Sequence, residues 1–316
     1  MKNISDIPVT IVLCTYNGAE HLSAQLQSYV AQSHQNWALW VSDDGSTDDT
    51  MQILERFQAD HEDAYEIRIL SGPGKGPAQN FMTTLCNAEL PVGYIALSDQ
   101  DDVWEPEKLT RALTQMTADA VNNPAEIPVI YGAQSIHTDA KLRPIGRSVK
   151  PSRPATFGNA LVQNVVSGHS CILSPAAVGL VRRTGAPDGI PYHDWWLYLL
   201  VAAAGGRILI DDAATLKYRQ HESNILGAHR GWRAKTARVR MVLQREYGDW
   251  IDCNLHALSE LKDELPEATN ASVEELLNDP ARYGLARIRL LKRLGIYQQT
   301  RAGNAVLWLA AFLGRV

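Results

Sequence analysis

The chain has 316 residues, a formal net charge of -5 and 45% hydrophobic residues, a composition ordinary for a globular protein and long enough for one large domain or one domain with an appendage. The acidity argues against general nucleic-acid binding, and no stretch approaches the roughly 18 apolar residues of a membrane span. The four cysteines, Cys14, Cys86, Cys171 and Cys253, lie far apart without a CxxC pair, which argues against a zinc site or a disulfide framework.

"VTIVLCT" (9–15) is a β-branched apolar run and reads as a strand. The N-terminal stretch lacks the longer apolar core and small-residue cleavage site of a signal peptide, so a cytoplasmic location is expected. "AEHLSAQLQSYVAQ" (19–32) has helical spacing at Leu22, Leu26, Tyr29 and Val30. "WALWVS" (37–42) is a second strand, and Ser46, Thr47 and Asp48 offer a helix cap before "TMQILERFQAD". "YEIRIL" (65–70) is a third strand, and "GPGKGPAQNFMTTLCNAE" turns and then becomes helical. "VGYIAL" (92–97) is a fourth, followed by a helix in "EPEKLTRALTQMT" with Pro106 near its first turn. Strands alternating with helical segments of this length imply right-handed crossovers and a mostly parallel sheet with helices on both faces, an α/β fold.

The pattern loosens after about residue 126. "IPVIYGAQSIHT" and "VVSGHSCILS" read as strands, separated by a Pro- and Gly-rich loop region over 150–164. "DWWLYLLVAAAGG" is an apolar helix stopped by Gly205 and Gly206, and "RILID" and "ATLKYRQH" read as two further strands. From Gly227 onward the pattern is helical, which divides the chain into a catalytic domain over 1–226 and a C-terminal helical region over 227–316. Residues 281–316 hold seven Lys and Arg and no Asp or Glu, an asymmetry that suggests an anionic partner. The run "AVLWLAAFL" is too short to span a bilayer, leaving two roles: contact with an anionic membrane surface, or packing on the catalytic domain or on a second copy in a homo-oligomer.

In an open parallel sheet, ligands bind beyond the carboxyl ends of the strands. Those ends carry Thr15 and Asn17 after the first strand, Asp43 and Asp44 after the second, Lys75 after the third, and Asp99, Asp101 and Asp102 in "SDQDD" after the fourth. Asp44 also suits loop-shaping turn chemistry, and "GPGKG" lacks the spacing of a Walker loop. Three crowded carboxylates after a buried strand need neutralising, and Mg²⁺ or Mn²⁺ is the simplest means. Because Mg²⁺ shares its shell with substrate phosphates, the acidic rim suggests a nucleoside diphosphate held through a metal.

In order and spacing, "VTIVLCTYNGAEHL", "VSDDGSTDDT", "LSDQDDVW", "YHDWW" and "YRQHESNILG" resemble the family 2 glycosyltransferases of the GT-A fold over roughly residues 8 to 227. The last two motifs look most like bacterial rhamnosyltransferase-type members. The resemblance implies a metal-dependent, inverting transfer of a sugar, with L-rhamnose from a deoxythymidine diphosphate donor favoured, to a glycan or lipid-linked glycan acceptor of the bacterial envelope. It further implies a peripheral place on the inner face of the cytoplasmic membrane. By motif, Thr15, Asn17, Asp44, Lys75 and Asp99 contact the donor, Asp101 and His221 hold the metal, and Asp194 is the general base. Trp195 and Trp196 are candidates for the acceptor side, read as split with one toward the core and one toward the acceptor, with a core role for both as the alternative. Where the family has Glu-Asp or Asp-Asp, this chain has His193-Asp194. Asp194 would equally suit a helix cap.

Two other readings compete. A sugar nucleotidyltransferase would need a basic Gly-rich loop near the N-terminus, and "TYNGAEHL" has no Arg or Lys. A non-catalytic nucleotide-sugar or glycan-binding protein would not need Asp194.

Overall fold

A computed structural model describes residues 3–220 and 245–316. Four parallel strands, β1 (Val9–Thr15), β2 (Trp37–Asp43), β3 (Ile67–Ser71) and β4 (Tyr94–Ser98), lie in the spatial order β3–β2–β1–β4. The helices α1 (Ala19–Val30), α2 (Thr50–His61) and α3 (Pro77–Leu85) connect them. After β4 come β5 (Val103–Trp104), α4 (Lys108–Asn122), β6 (Val129–Thr138), β7 (Pro144–Arg147), α5 (Phe157–Ala160), β8 (Ile172–Leu173), α6 (Pro175–Thr184), α7 (His193–Ala203) and β9 (Arg207–Arg219). The sheet continues from β4 through β8, β6 and β9 to β5, with β7 on β6. β8 runs antiparallel to both neighbours, whereas β6 and β9 are parallel. The result is the mostly parallel α/β sheet expected.

Alternation along the strands sends side chains to two faces. Ile11 and Leu13 of β1, Leu39 and Val41 of β2 and Ala96 of β4 pack with Leu22, Leu26 and Tyr29 of α1, Phe57 of α2 and Leu113 of α4. Val12, Trp40, Ile95 and Leu97 point the other way, onto Phe81 and Met82 of α3 and the long apolar α7. Both faces are therefore covered, which is why these strands are apolar at nearly every position. α7 buries eight of its eleven residues, so it is a core helix rather than an amphipathic one.

Four more helices follow: α8 (Glu246–Ser259), α9 (Glu267–Asn278), α10 (Gly284–Arg293) and α11 (Arg301–Phe312). Ile251, Leu255, Val273, Leu291 and Leu307 from these helices join the cluster that holds α7. No helix among the described residues is long and apolar enough to cross a membrane. The boundary expected near residue 227 lies outside the described residues.

Three local expectations need correction. "RILID" and "ATLKYRQH" are one strand, β9, whose pairing with β6 slips between Gly132 and Ser135. The slip accommodates Asp211, which accepts from the Tyr131 hydroxyl at 2.8 Å and from the Ala213 N–H at 2.9 Å. Only Ile172 and Leu173 of "VVSGHSCILS" are strand, because residues 168–170 coil into a 3₁₀ turn. β5 is a two-residue strand paired with β9, too short to leave a period in the sequence.

Candidate active site

The loops beyond β1 to β4 are stitched together by their own polar side chains. Thr15 donates to Asp43 Oδ1 at 2.7 Å, and the other Asp43 oxygen accepts from the Ser46 N–H at 2.8 Å. Asn17 sits in the left-handed region at φ 47°, where its Oδ1 accepts from the Thr47 N–H at 2.8 Å. Gln100 clamps Tyr16 through both backbone groups, at 2.8 and 3.0 Å. Asp44 accepts from the N–H groups of Gly74 and Gly76, each at 2.7 Å. Those glycines have φ of 66° and 86°, so "GPGKG" wraps a carboxylate because its backbone can adopt a conformation that side chains resist. Thr15, Asn17 and Asp44 thus build one rim, and Asp44 performs the loop-shaping role recognised as its alternative. Lys75 projects from that loop into solvent.

Beside this rim lies a tight polar cluster. Asp99, Asp102 and His169 each present a ligand atom, all within 4.8 Å of one another. His169 Nδ1 is 4.0 Å from an oxygen of each carboxylate. Asp102 is fully buried: one oxygen accepts from the Arg219 N–H at 3.2 Å, and the other has no hydrogen-bond partner among the described residues. Such an orphaned carboxylate oxygen is costly unless something binds it. Two carboxylate oxygens and an imidazole nitrogen suit Mn²⁺, and Mg²⁺ with less ease. The donor set therefore fits a divalent cation.

Charge is distributed to match. Burial, with Asp101 and Asp194 nearby, pushes the Asp99 carboxyl up to about 7 against the pull of Lys108. Burial, then Asp101 and Asp99, also holds Asp102 well above the usual carboxylate range. Lys108, the first residue of α4, is completely buried, and burial pushes its ammonium down to about 7. It donates to the His169 carbonyl and lies 3.9 Å from the centre of the Trp104 ring. Burial, followed by Lys108 and His137, lowers His169 to about 3. Its imidazole is thus neutral near pH 7, with a lone pair free to ligate.

Asp194 is the second residue of α7. Its Oδ2 accepts from the Gly168 N–H at 2.9 Å and its Oδ1 from the Trp195 N–H at 2.7 Å. The carboxylate is thereby tied to the residue next to His169 and lies within electrostatic reach of Asp99. The approach is close: a β-carbon at Gly168 would lie 2.7 Å from His193 Nε2 and 3.4 Å from Asp194 Cβ. His193 is stacked on Phe81 with ring centres 3.9 Å apart, so it has little room to withdraw.

Several expected site residues fall elsewhere. Asp101 is outside the three-residue cluster, although its charge acts on both neighbouring carboxyls and its carbonyl accepts from Arg219 Nε at 2.9 Å. His221 lies outside the described residues. The acceptor role considered for Trp195 and Trp196 is corrected. Both are core residues, 4% and 0% exposed, and Trp195 Nε1 donates to the Ala160 carbonyl at 2.6 Å. Apolar packing inside α7 wins over exposure at its N-terminal end. Sequence reasoning missed His169, Lys108 and Arg219. The only signal for His169 was a polar Gly-His-Ser interrupting an apolar run.

An open, mostly parallel sheet whose strand ends converge on carboxylates, beside a cation-competent cluster and Asp194 at the start of α7, has the architecture of the GT-A fold. Residues 10–162, just under half of the chain, match the family model described as glycosyl transferase family 2. A curated relative, the dTDP-rhamnosyl transferase RfbG of Shigella flexneri, is 27% identical over 258 residues, 78% of this chain and 85% of that one. Another, the UDP-Glc:alpha-D-GlcNAc-diphosphoundecaprenol beta-1,3-glucosyltransferase WfgD of Escherichia coli, is 29% identical over 228 residues, 70% of this chain and 81% of its own. Among solved structures, the mannosyltransferase PcManGT of Pyrobaculum calidifontis, in complex with GDP-Man and Mn²⁺, shares the fold with a TM-score of 0.51 at 18% identity, over 97% of this chain and 85% of that one. The chain is thus similar, in the order of its motifs and in its fold, to glycosyltransferases of family 2.

Proposed function

We propose that this chain transfers L-rhamnose from a deoxythymidine diphosphate donor, with inversion, to a hydroxyl of a glycan carried on a lipid diphosphate. The observation that carries the reading is Asp194, held by the Gly168 N–H at 2.9 Å beside the Asp99–Asp102–His169 cluster. The nucleoside lies across the rim built by Thr15, Asn17 and Asp44, with Lys75 reaching toward its phosphates. Asp99, Asp102 and His169 hold Mn²⁺ or Mg²⁺ in this reading, with Asp101 adding negative charge and His221 as a further ligand. When bound, the cation supplies Lewis-acid stabilisation of the departing diphosphate. Asp194 accepts the proton of the acceptor hydroxyl as its oxygen bonds to the anomeric carbon and the bond to the diphosphate breaks. No covalent enzyme intermediate is needed.

The rhamnose donor is suggested by the 27% identical rhamnosyl transferase, and the lipid-linked acceptor by the glucosyltransferase named for a diphosphoundecaprenol substrate. Residues 1–226 form the catalytic unit and the helices beyond it an appendage. Such an acceptor gives the chain a peripheral site of action at the cytoplasmic face of a membrane.

Donor hydrolysis and transfer should be compared for deoxythymidine diphosphate rhamnose and uridine diphosphate glucose. Asp194→Asn should lower kcat by roughly 10²- to 10⁴-fold while leaving donor binding nearly intact. His169→Ala should instead weaken Mn²⁺ binding in calorimetry by roughly 10-fold or more. Unchanged kcat in Asp194→Asn would remove the base assignment, and preference for the glucose donor would remove rhamnose.

A further inference from the structure

The two last helices present a surface that the transfer chemistry does not use. α11 buries Leu307, Ala310 and Ala311 against the core, as a surface helix should. Its opposite face is apolar as well: Val306, Leu309, Phe312 and Leu313 recur at helical spacing and are exposed. Tyr283 and Leu285 at the start of α10 extend the patch, and the exposure of these six side chains runs from 37% to 72%. The two parts are contiguous, since a β-carbon at Gly314 would lie 3.3 Å from Tyr283 Cβ. An outward face this apolar on a globular protein calls for an occupant.

The surrounding charge identifies its chemistry. Arg287 and Arg293 are paired with Asp279 and Glu275. Arg282, Arg289, Arg301 and Arg315 are exposed and have no carboxylate partner among the described residues. Residues 281–316 contain no acidic side chain at all. A second copy docked through this same face would set these arginines against their own counterparts, because a two-fold contact pairs a patch with itself. An anionic lipid surface satisfies both features, taking the apolar side chains into its headgroup–acyl boundary and the arginines at its phosphates.

We propose that the face formed by Tyr283, Leu285, Val306, Leu309, Phe312 and Leu313, ringed by Arg282, Arg289, Arg301 and Arg315, docks this chain on an anionic membrane. The lipid-linked acceptor of the proposed function gives this docking a purpose, but the surface is inferred without it. The test is vesicle flotation of the full chain without donor or acceptor, so its result is independent of the transferase reading. Vesicles of phosphatidylcholine alone are compared with vesicles containing about one-third phosphatidylglycerol, at low and high salt.

Flotation with the anionic vesicles, weakened by salt and absent with the neutral ones, is expected. The triple variant Leu309→Ser, Phe312→Ser, Leu313→Ser should lose at least about tenfold in partitioning. The quadruple variant Arg282→Gln, Arg289→Gln, Arg301→Gln, Arg315→Gln should lose the preference for anionic lipid. Circular dichroism melting would establish that both variants are folded, as expected for exposed positions. No flotation of the wild type at low salt would overturn the proposal. So would a dimer in sedimentation equilibrium that the serine variant abolishes, since the face would then be a contact between copies.

Discussion

Gly168 joins Asp194, the proposed base, to the proposed cation cluster, and Gly168→Ala tests that coupling directly. The added methyl would meet His193 Nε2 at 2.7 Å, a distance at which something must shift. His193 cannot swing freely, because its ring is stacked on Phe81 at 3.9 Å. The strain therefore passes to the Gly168 backbone, whose N–H fixes Asp194 Oδ2 at 2.9 Å, and to His169 next in sequence. Overpacking of this kind costs about 1–3 kcal/mol, and a chain of this size should melt about 1–5 °C lower. The catalytic cost should be comparable, because displacing a reacting group by an ångström costs about 100-fold in rate, roughly 2.7 kcal/mol. Steady-state kinetics should show kcat reduced by roughly 10- to 100-fold with donor KM little changed, since the nucleotide rim is built elsewhere. The double variant Gly168→Ala, His193→Ala removes the obstructing ring and should recover most of the lost kcat. Normal kcat in Gly168→Ala, or no recovery in the double variant, would refute the view that this contact sets the position of Asp194.

The cation cluster carries a pH dependence with a definite sign. Asp99, raised to about 7, stabilises the metal-free fold fully below its ordinary value near 3.8, and that contribution is lost as pH rises through 7. A bound cation needs ionised carboxylates, so Mn²⁺ affinity in calorimetry should rise by about tenfold or more per pH unit below 7. An affinity flat between about pH 5 and about pH 7 would show that Asp99 is not a ligand. Trp196 is fully buried, so Trp196→Ala should cost about 3–5 kcal/mol in denaturant unfolding. Any loss of activity should follow the folded fraction, and a selective rise in acceptor KM with normal stability would restore the acceptor role.

What the sequence made legible follows from the range over which each signal acts. β1 to β4 announce themselves because burial on both faces makes nearly every residue apolar, and helices of nine to twelve residues between them leave a helical period. Their carboxyl ends can be ordered without coordinates, which draws Thr15, Asn17 and Asp44 to one rim with Asp99 in the cluster beside it. The cluster itself was only half visible. Asp99 and Asp102 are neighbours in sequence, but His169 arrives from nearly 70 residues away on a 3₁₀ turn with no periodicity. Lys108 looked like an ordinary first-turn lysine, because helix spacing does not reveal that this end of α4 is buried under Trp104. Trp195 and Trp196 misled for the opposite reason: adjacent to a motif, they take their role from packing in α7.

Three carboxylates crowd into residues 99–102 without unfolding the loop, and the compensation comes in two unequal parts. The chain supplies one part permanently, through the Lys108 ammonium and the Arg219 backbone N–H on Asp102. The other part is left open. Asp102 keeps one oxygen without a partner among the described residues, Asp99 holds its proton up to about 7, and His169 stays neutral with its Nδ1 4.0 Å from both. A site built only for stability would have closed that gap with a second arginine, since an unpaired buried carboxylate is among the more costly features a fold can keep. Leaving it open stores an attraction that a divalent cation can satisfy when it arrives with a diphosphate. The raised carboxyl and the depressed lysine are therefore two sides of one arrangement: in the proposed metal-dependent reading, protons hold the cluster together until a cation displaces them.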